Sequence, residues 1–188
     1  MSQKNTSVLI LLSIALAISS GLAIAEESLF QAIITPLRQK DIVPVNNKQY
    51  KDECGSCHFA YQPGLLPAKS WEKLLTAQAL SNHFGENAEL DKDTLAIIYN
   101  YAIANAADKS YHKRSRKISQ ATAQVEAPLR ITEISYIRRK HHEIPEKMIK
   151  GNKDVKSLSY CDACHTQAAK GVFDEDTVRI PNYPDWDD

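Results

Sequence analysis

Two stretches of this chain, Cys54-Gly55-Ser56-Cys57-His58 and Cys161-Asp162-Ala163-Cys164-His165, repeat one pattern: two cysteines three positions apart, with a histidine directly after the second. They use all four cysteines of the 188-residue chain, so none is left for a disulfide framework. Three chemistries use cysteines spaced this way. A redox dithiol needs only the Cys-x-x-Cys unit. Zinc needs four ligands, which two such pairs could supply. Covalent haem attachment needs both thiols, one for each vinyl group, and then the histidine, which lies under the ring and binds iron. The histidine after each pair is a coincidence for zinc and a requirement for haem. Cys54 and Cys161 are also 107 residues apart, far beyond the spacing of an ordinary zinc ribbon. The pattern predicts two covalently bound haem c groups. Cys54, Cys57, Cys161 and Cys164 are the thioether anchors, and His58 and His165 are ligands of the two irons. A haem adds a large apolar body, which helps so short a segment form a core.

The opposite face of each iron decides the function. A vacant face invites oxygen, NO or peroxide, whereas a filled face restricts the iron to electron transfer. Beyond Met1 the only methionine is Met148, so two His/Met haems are excluded by count. His83, His112, His141 and His142 remain. They favour histidine on both faces of both irons, and hence low potentials. His83 follows a helix predicted from about Pro67 to Asn82 and sits beside Phe84 and Gly85, from where it can turn into an apolar pocket. Its plainer role would be to cap that helix. His112, in the polar run Lys109–Lys117, is its rival as ligand. For the second haem, helical phase favours His141. Ile134, Ile137, His141, Ile144 and Met148 form one stripe, with Pro145 breaking the helix near its end. His142 shares a face with Arg138 and Arg139, which point outward, and stands as the alternative. A carbonyl of the loop stiffened by Pro63 and Pro67 is a candidate acceptor for the other ring nitrogen of His58. Arg130 and nearby lysines are candidates for pairing with haem propionates.

The chain opens with Lys4, an apolar run over 8–18, and Ala23-Ile24-Ala25 before Glu26-Glu27. This is the layout of a signal peptide over residues 1–25, cut after Ala25. The other reading is an uncleaved anchor, since the run from Val8 to Ala25 is at the short end for a span. Either way the body is exported, which predicts a periplasmic location, and no later segment is apolar enough to cross a membrane. Charge is balanced overall but not evenly spread. Residues 109–156 hold thirteen Lys and Arg against five Asp and Glu, and residues 174–188 hold six acids and one arginine. Export argues against nucleic acid as the partner of the basic stretch. It reads either as a solvated face or as a docking surface for an acidic partner or for anionic cofactor groups.

Periodicity predicts a mainly α chain with no strong strand pattern. A short helix leads into Cys54. The clearest helix runs through Asp91–Lys109, with Asp91 or Asp93 as N-cap and Leu95, Ile98, Tyr99, Ala102, Ile103 and Ala106 on one stripe. Residues 26–110 form an N-terminal haem domain and residues 111–127 a basic linker. Residues 128–188 form a C-terminal haem domain. In it, helices are predicted over about Thr132–Glu143 and Val155–Lys170, the second ending at Gly171, followed by an extended tail.

The stretches 50–71, 83–88, 127–141 and 158–175, in this order, resemble the exported dihaem cytochrome c family. The resemblance implies an N-terminal domain like class I cytochrome c, a less regular helical C-terminal haem domain, and bis-histidine haems. It assigns His58 and His83 to the first iron and His165 and His141 to the second. It also implies an electron carrier that serves a small oxygen-binding monohaem cytochrome c, often alongside a membrane cytochrome b. The competing expectation is a dihaem peroxidase, a small reductase or a gas sensor. Each of these needs one open iron, which the histidine count argues against.

Overall fold

In the computed structural model, residues 41–186 are described; the expected signal peptide lies outside them. The architecture is helical, with no strand among the described residues and only two isolated bridges, His83 with Glu86 and His165 with Val178. None of the described helices is long and apolar enough to cross a membrane.

Helix α1 (Lys48–Cys54) delivers the chain to the first box, with the Asn47 side chain accepting from the Tyr50 amide. The helix expected from Pro67 to Asn82 forms as two, α2 (Ala68–Leu74) and α3 (Ala77–Leu80). The break has a local cause. Thr76 takes an extended conformation and accepts from the Ala79 amide, so it starts a new helix rather than continuing the old one. Helix α4 (Lys92–Ala104) begins where Asp91 accepts from the Asp93 and Thr94 amides, and buries Ile98 and Ala102. It packs against α1 and α2. Around these contacts lies a core of Tyr50, Leu65, Leu66, Trp71, Leu74, Leu75, Ile98 and Ala102. The Trp71 indole N–H donates to the Pro63 carbonyl at 2.8 Å, so burial leaves its one donor satisfied.

The stretch 111–127, expected to be a linker, instead carries helix α5 (Lys113–Thr122). Its composition is polar, but Ser115, Ile118 and Thr122 fall on one side and are buried. That narrow stripe is enough to dock it. The fit is close at Gly64, where an added Cβ would lie 2.5 Å from the Ser115 hydroxyl. Gly64 is therefore needed for close approach. Arg114, on the same helix, donates to the Asp41 carboxylate at 3.2 Å, to the Phe173 carbonyl at 2.8 Å and to the Tyr136 hydroxyl at 3.1 Å.

Beyond α5, which packs against α6 (Ser135–Lys140), regular structure is sparse. The helix expected over Thr132–Glu143 reduces to a 3-10 turn at Ile131–Glu133 and α6, with Ile131, Ile134 and Ile137 buried. A single turn, α7 (Glu146–Ile149), starts after Pro145. The helix expected over Val155–Lys170 does not form. Lys156 adopts φ +67°, a break in any right-handed helix, and only the short α8 (Cys161–Cys164) and a 3-10 turn at Ala168–Lys170 follow. That turn ends at Gly171, with φ +75°, where an added Cβ would meet the Ile42 carbonyl oxygen at 2.1 Å. The tail, expected to be extended and partly ordered, is anchored to the body. Ile180 is buried, and the Asn152 side chain donates to the Pro181 carbonyl at 2.6 Å.

Candidate functional site

The first box sits where α1 ends. The chain turns at Gly55, leaves Cys57 exposed beyond the helix-bound Cys54, and sets His58 half-buried with its Nδ1 at 2.8 Å from the Phe59 carbonyl. The acceptor is thus a carbonyl, as expected, but on the residue next to His58 rather than in the proline-stiffened loop. A ring that donates from Nδ1 presents Nε2 as its lone-pair donor. Opposite lies His83. It is held by a tight turn in which its amide donates to the Glu86 carbonyl at 2.7 Å and its carbonyl accepts from the Glu86 amide at 3.2 Å. Phe84 at φ +57° and Gly85 at φ +106° make the reversal. The Asn82 side chain accepts from the Gly85 amide at 3.1 Å. The centres of the His58 and His83 rings stand 6.4 Å apart, with planes at 23°.

The second box is built differently but reaches a similar spacing. The His165 amide donates to the Cys161 carbonyl at 2.8 Å, and the Arg179 amide donates to the Cys164 carbonyl at 2.9 Å. The Phe173 ring covers His165 from 5.2 Å. His141 caps the C-terminus of α6, half-buried, with Nδ1 at 2.8 Å from the Ile137 carbonyl. Its ring centre is 6.0 Å from that of His165, with planes at 77°. His142 is exposed and points to Glu143 at 3.5 Å. His112 begins α5, as its N-cap residue. The structure therefore brings His58 to His83 and His165 to His141, and brings neither His112 nor His142 to a box.

Two imidazoles bound to opposite faces of one metal, each through a bond of about 2 Å, hold their ring centres about 6 Å apart. Both pairs meet this spacing. Burial, the neighbouring His58 and Arg130 all lower the pKa of His83. Burial first, then His141, pushes His165 down to about 4. Both rings therefore stay neutral near pH 7, which is the form that binds a metal. No disulfide joins any of the four cysteines. Burial pushes Cys54 and Cys161 up to about 12 and raises Cys164 as well. A redox Cys-x-x-Cys needs the opposite shift, toward a stable thiolate. Among the described residues no three His, Cys, Asp or Glu side chains gather as an ion-binding cluster, so the two cysteine pairs do not share a zinc site. His165 Nδ1 is among the buried side-chain atoms with no hydrogen-bond partner.

Phe173 and Asp41 shape the site without any sequence signal, and Arg130 plays a part other than the propionate pairing expected of it. Phe173 packs on His165, and Arg130 lies over the Phe84 ring at 4.0 Å, beside the His83 turn. Asp41 accepts from Arg114 and from the Phe173 amide at 2.9 Å, so one carboxylate fixes the covering residue of the second box. Tyr61 lies 4.9 Å from the His58 ring, and its hydroxyl donates to the Ser159 carbonyl. An aromatic three positions after the first box was the only hint of it.

A helical chain with two thiol-pair boxes, each facing a second imidazole across one metal's width, is a c-type cytochrome with two haems. Comparison with known proteins agrees. The sequence model of the dihaem cytochrome c family matches residues 50–173, and the chain belongs to this family. A diheme cytochrome c from Shewanella baltica OS155 is 42% identical, aligning over 75% of this chain and 98% of its own, with a TM-score of 0.61. A diheme cytochrome c from Rhodobacter sphaeroides is 40% identical over 70% of this chain and 99% of its own, also with a TM-score of 0.61. No curated protein matches. The chain thus carries two covalently bound haem c groups, and membership of the family implies electron transfer.

Proposed function

We propose that this is an exported, periplasmic electron carrier with both irons closed on both faces. Cys54 and Cys57 anchor the first haem, with His58 and His83 as iron ligands. Cys161 and Cys164 anchor the second, with His165 and His141. The single observation that carries this reading is the pairing of rings, 6.4 Å apart at the first site and 6.0 Å at the second. Each bound haem supplies one iron that cycles between ferric and ferrous. The chain's own part is to hold four imidazoles in fixed orientation, so that little rearranges as charge arrives or leaves. The Phe59 and Ile137 carbonyls do this for His58 and His141, and the tight turn does it for His83. No substrate is bound or transformed. Residues 1–25 act as the signal peptide.

Electrons enter from a membrane cytochrome b-type, quinol-oxidising donor and leave to a soluble, oxygen-binding monohaem cytochrome c. Docking is brief and uses a small interface, as redox encounters do. The basic stretch over 109–156 steers the partner. The test of the closed irons is optical. The purified holoprotein is reduced and exposed to CO. An unchanged low-spin spectrum is expected at both haems. Stoichiometric CO binding would overturn the reading in favour of a dihaem enzyme or a gas sensor.

A further inference from the structure

A buried ion pair stands behind the ring that covers His165, and holding a ring in place does not require charge. The Arg114 guanidinium donates to the Asp41 carboxylate at 3.2 Å, and both side chains are largely out of water. Such a pair adds little to stability over apolar packing, because desolvation offsets its attraction. Its two charges are not placed alike. Arg114 Cζ lies 5.9 Å from the centre of the Phe173 ring, and that ring lies 5.2 Å from His165. Asp41 reaches Phe173 through the backbone, accepting from its amide at 2.9 Å. Asp41 is also the one anionic acceptor that Arg114 meets among the described residues. Its other acceptors, the Phe173 carbonyl and the Tyr136 hydroxyl, are neutral, and its Nε is buried with no hydrogen-bond partner among the described residues. The two fields differ at His165. After burial and His141, Arg114 lowers the pKa of that ring further, and Asp41 raises it by less.

We propose that the Arg114–Asp41 pair sets the potential of the second haem: a fixed cation behind Phe173 favours the ferrous iron, and Asp41 limits how far. This rests on the paired-histidine reading above, in which His165 is an iron ligand. Reduction adds one electron to the ferric iron and lowers its charge by one. No bond forms or breaks, and no proton moves. A cation held where little water screens it stabilises the less positive state. Removing the cation therefore lowers the potential, and removing the anion raises it. Both are positioning residues: they act across Phe173, and neither binds iron.

The experiment uses full-length holoprotein with both haems attached. Redox titration followed by EPR gives a midpoint for each low-spin ferric signal. His141→Ala, which removes one signal, identifies that of the second haem. Asp41→Asn is expected to raise the ferrous-to-ferric ratio of the second haem at a fixed potential by roughly tenfold, which is about 59 mV for a one-electron couple. Arg114→Met is expected to lower it by a similar factor, and the two together to bring it back toward the unsubstituted value. Arg114→Lys keeps the charge and is expected to hold the ratio within about threefold. The first haem's midpoint should hold in every variant. Loosened packing that admits water would instead move Asp41→Asn and Arg114→Met the same way, toward the more highly charged ferric iron. Shifts of one sign in those two variants overturn the proposal, as do unchanged midpoints or equal shifts at both haems. Should Arg114→Met yield no holoprotein, the other two single variants decide. A second-haem midpoint that does not rise in Asp41→Asn, or that falls by a full tenfold in Arg114→Lys, overturns the proposal. Two low-spin signals surviving in His141→Ala would overturn the paired-histidine reading, and the proposal with it.

Discussion

The choice between His141 and His142 turns on a difference of one position along a helix end. His141 follows Ile134 and Ile137 on the buried stripe, whereas His142 continues the exposed face of Arg138 and Arg139. Replacing His83 by Ala should therefore turn the first haem high-spin, and His141→Ala the second, each then binding CO at about one equivalent. His142→Ala should leave both low-spin, as read by EPR and by the visible spectrum. The two sites should also be told apart without mutation. Near-parallel imidazole planes, at 23° in the first pair, split the iron orbitals that planes at 77° in the second leave nearly equal in energy. The first haem should give the more rhombic ferric EPR signal and the second the more axial one with the larger principal g value. Two signals of the same rhombicity would count against the geometry of the second pair. The two boxes, and the phase that brings His141 rather than His142 beside His165, could be read from the sequence because they are local: a box of five residues, or a stripe repeating every three to four. The Asp41–Arg114 pair could not, since its partners lie 73 residues apart and neither sits in a motif.

Helix α5 shows why the middle of the chain was harder to read. Its ten residues are polar except for Ile118, Ala121 and the aliphatic part of Thr122, so composition describes a linker. Composition averages over faces, however, and one buried stripe decides whether a helix docks. Arg114 adds a buried tie from α5 to the segment before α1 and to Phe173. Its side chain and that of Asp41 are only 17% and 12% exposed. Breaking such a pair leaves the other charge buried without its counter-ion. Arg114→Met should cost about 3–5 kcal/mol, measured as a drop in the denaturant midpoint of the holoprotein. Asp41→Asn combined with Arg114→Met should recover part of that loss, because no unpaired charge then remains. Equal losses in the single and double variants would mean that packing around Phe173, and not the charge pair, holds α5 in place. The helices on either side were overestimated in length for a related reason. The Thr76 cap and the positive φ at Lys156 are single-residue events within runs of otherwise helical composition.

For the whole molecule, charge is the property that a partner meets first. The excess of eight positive charges over residues 109–156 includes Arg138, Arg139 and Lys140, all exposed on the turn that ends at His141. Among the described residues their one acidic neighbour at ion-pair range is Glu175, whose carboxylate is 4.0 Å from Lys140. The rim of the first site is different: Lys73 pairs with Glu126 at 2.8 Å and Arg130 with Glu133 at 3.8 Å, beside the exposed Phe84 and Leu129. An acidic redox partner would therefore meet less compensated positive charge on the His141 side than at the rim of the first site. Steering of this kind acts over a Debye length of about 10 Å at 0.1 M salt and fades as salt rises. Stopped-flow oxidation of the reduced holoprotein by an acidic monohaem cytochrome c should slow steadily with ionic strength. Arg138→Glu with Arg139→Glu should lower the low-salt association rate by roughly tenfold or more, and flatten its salt dependence, while midpoint potentials and low-spin spectra stay unchanged. If the double variant instead reacts at the unsubstituted rate, the electron leaves from another face. The compensated, partly apolar rim beside His83 is then the next surface to alter.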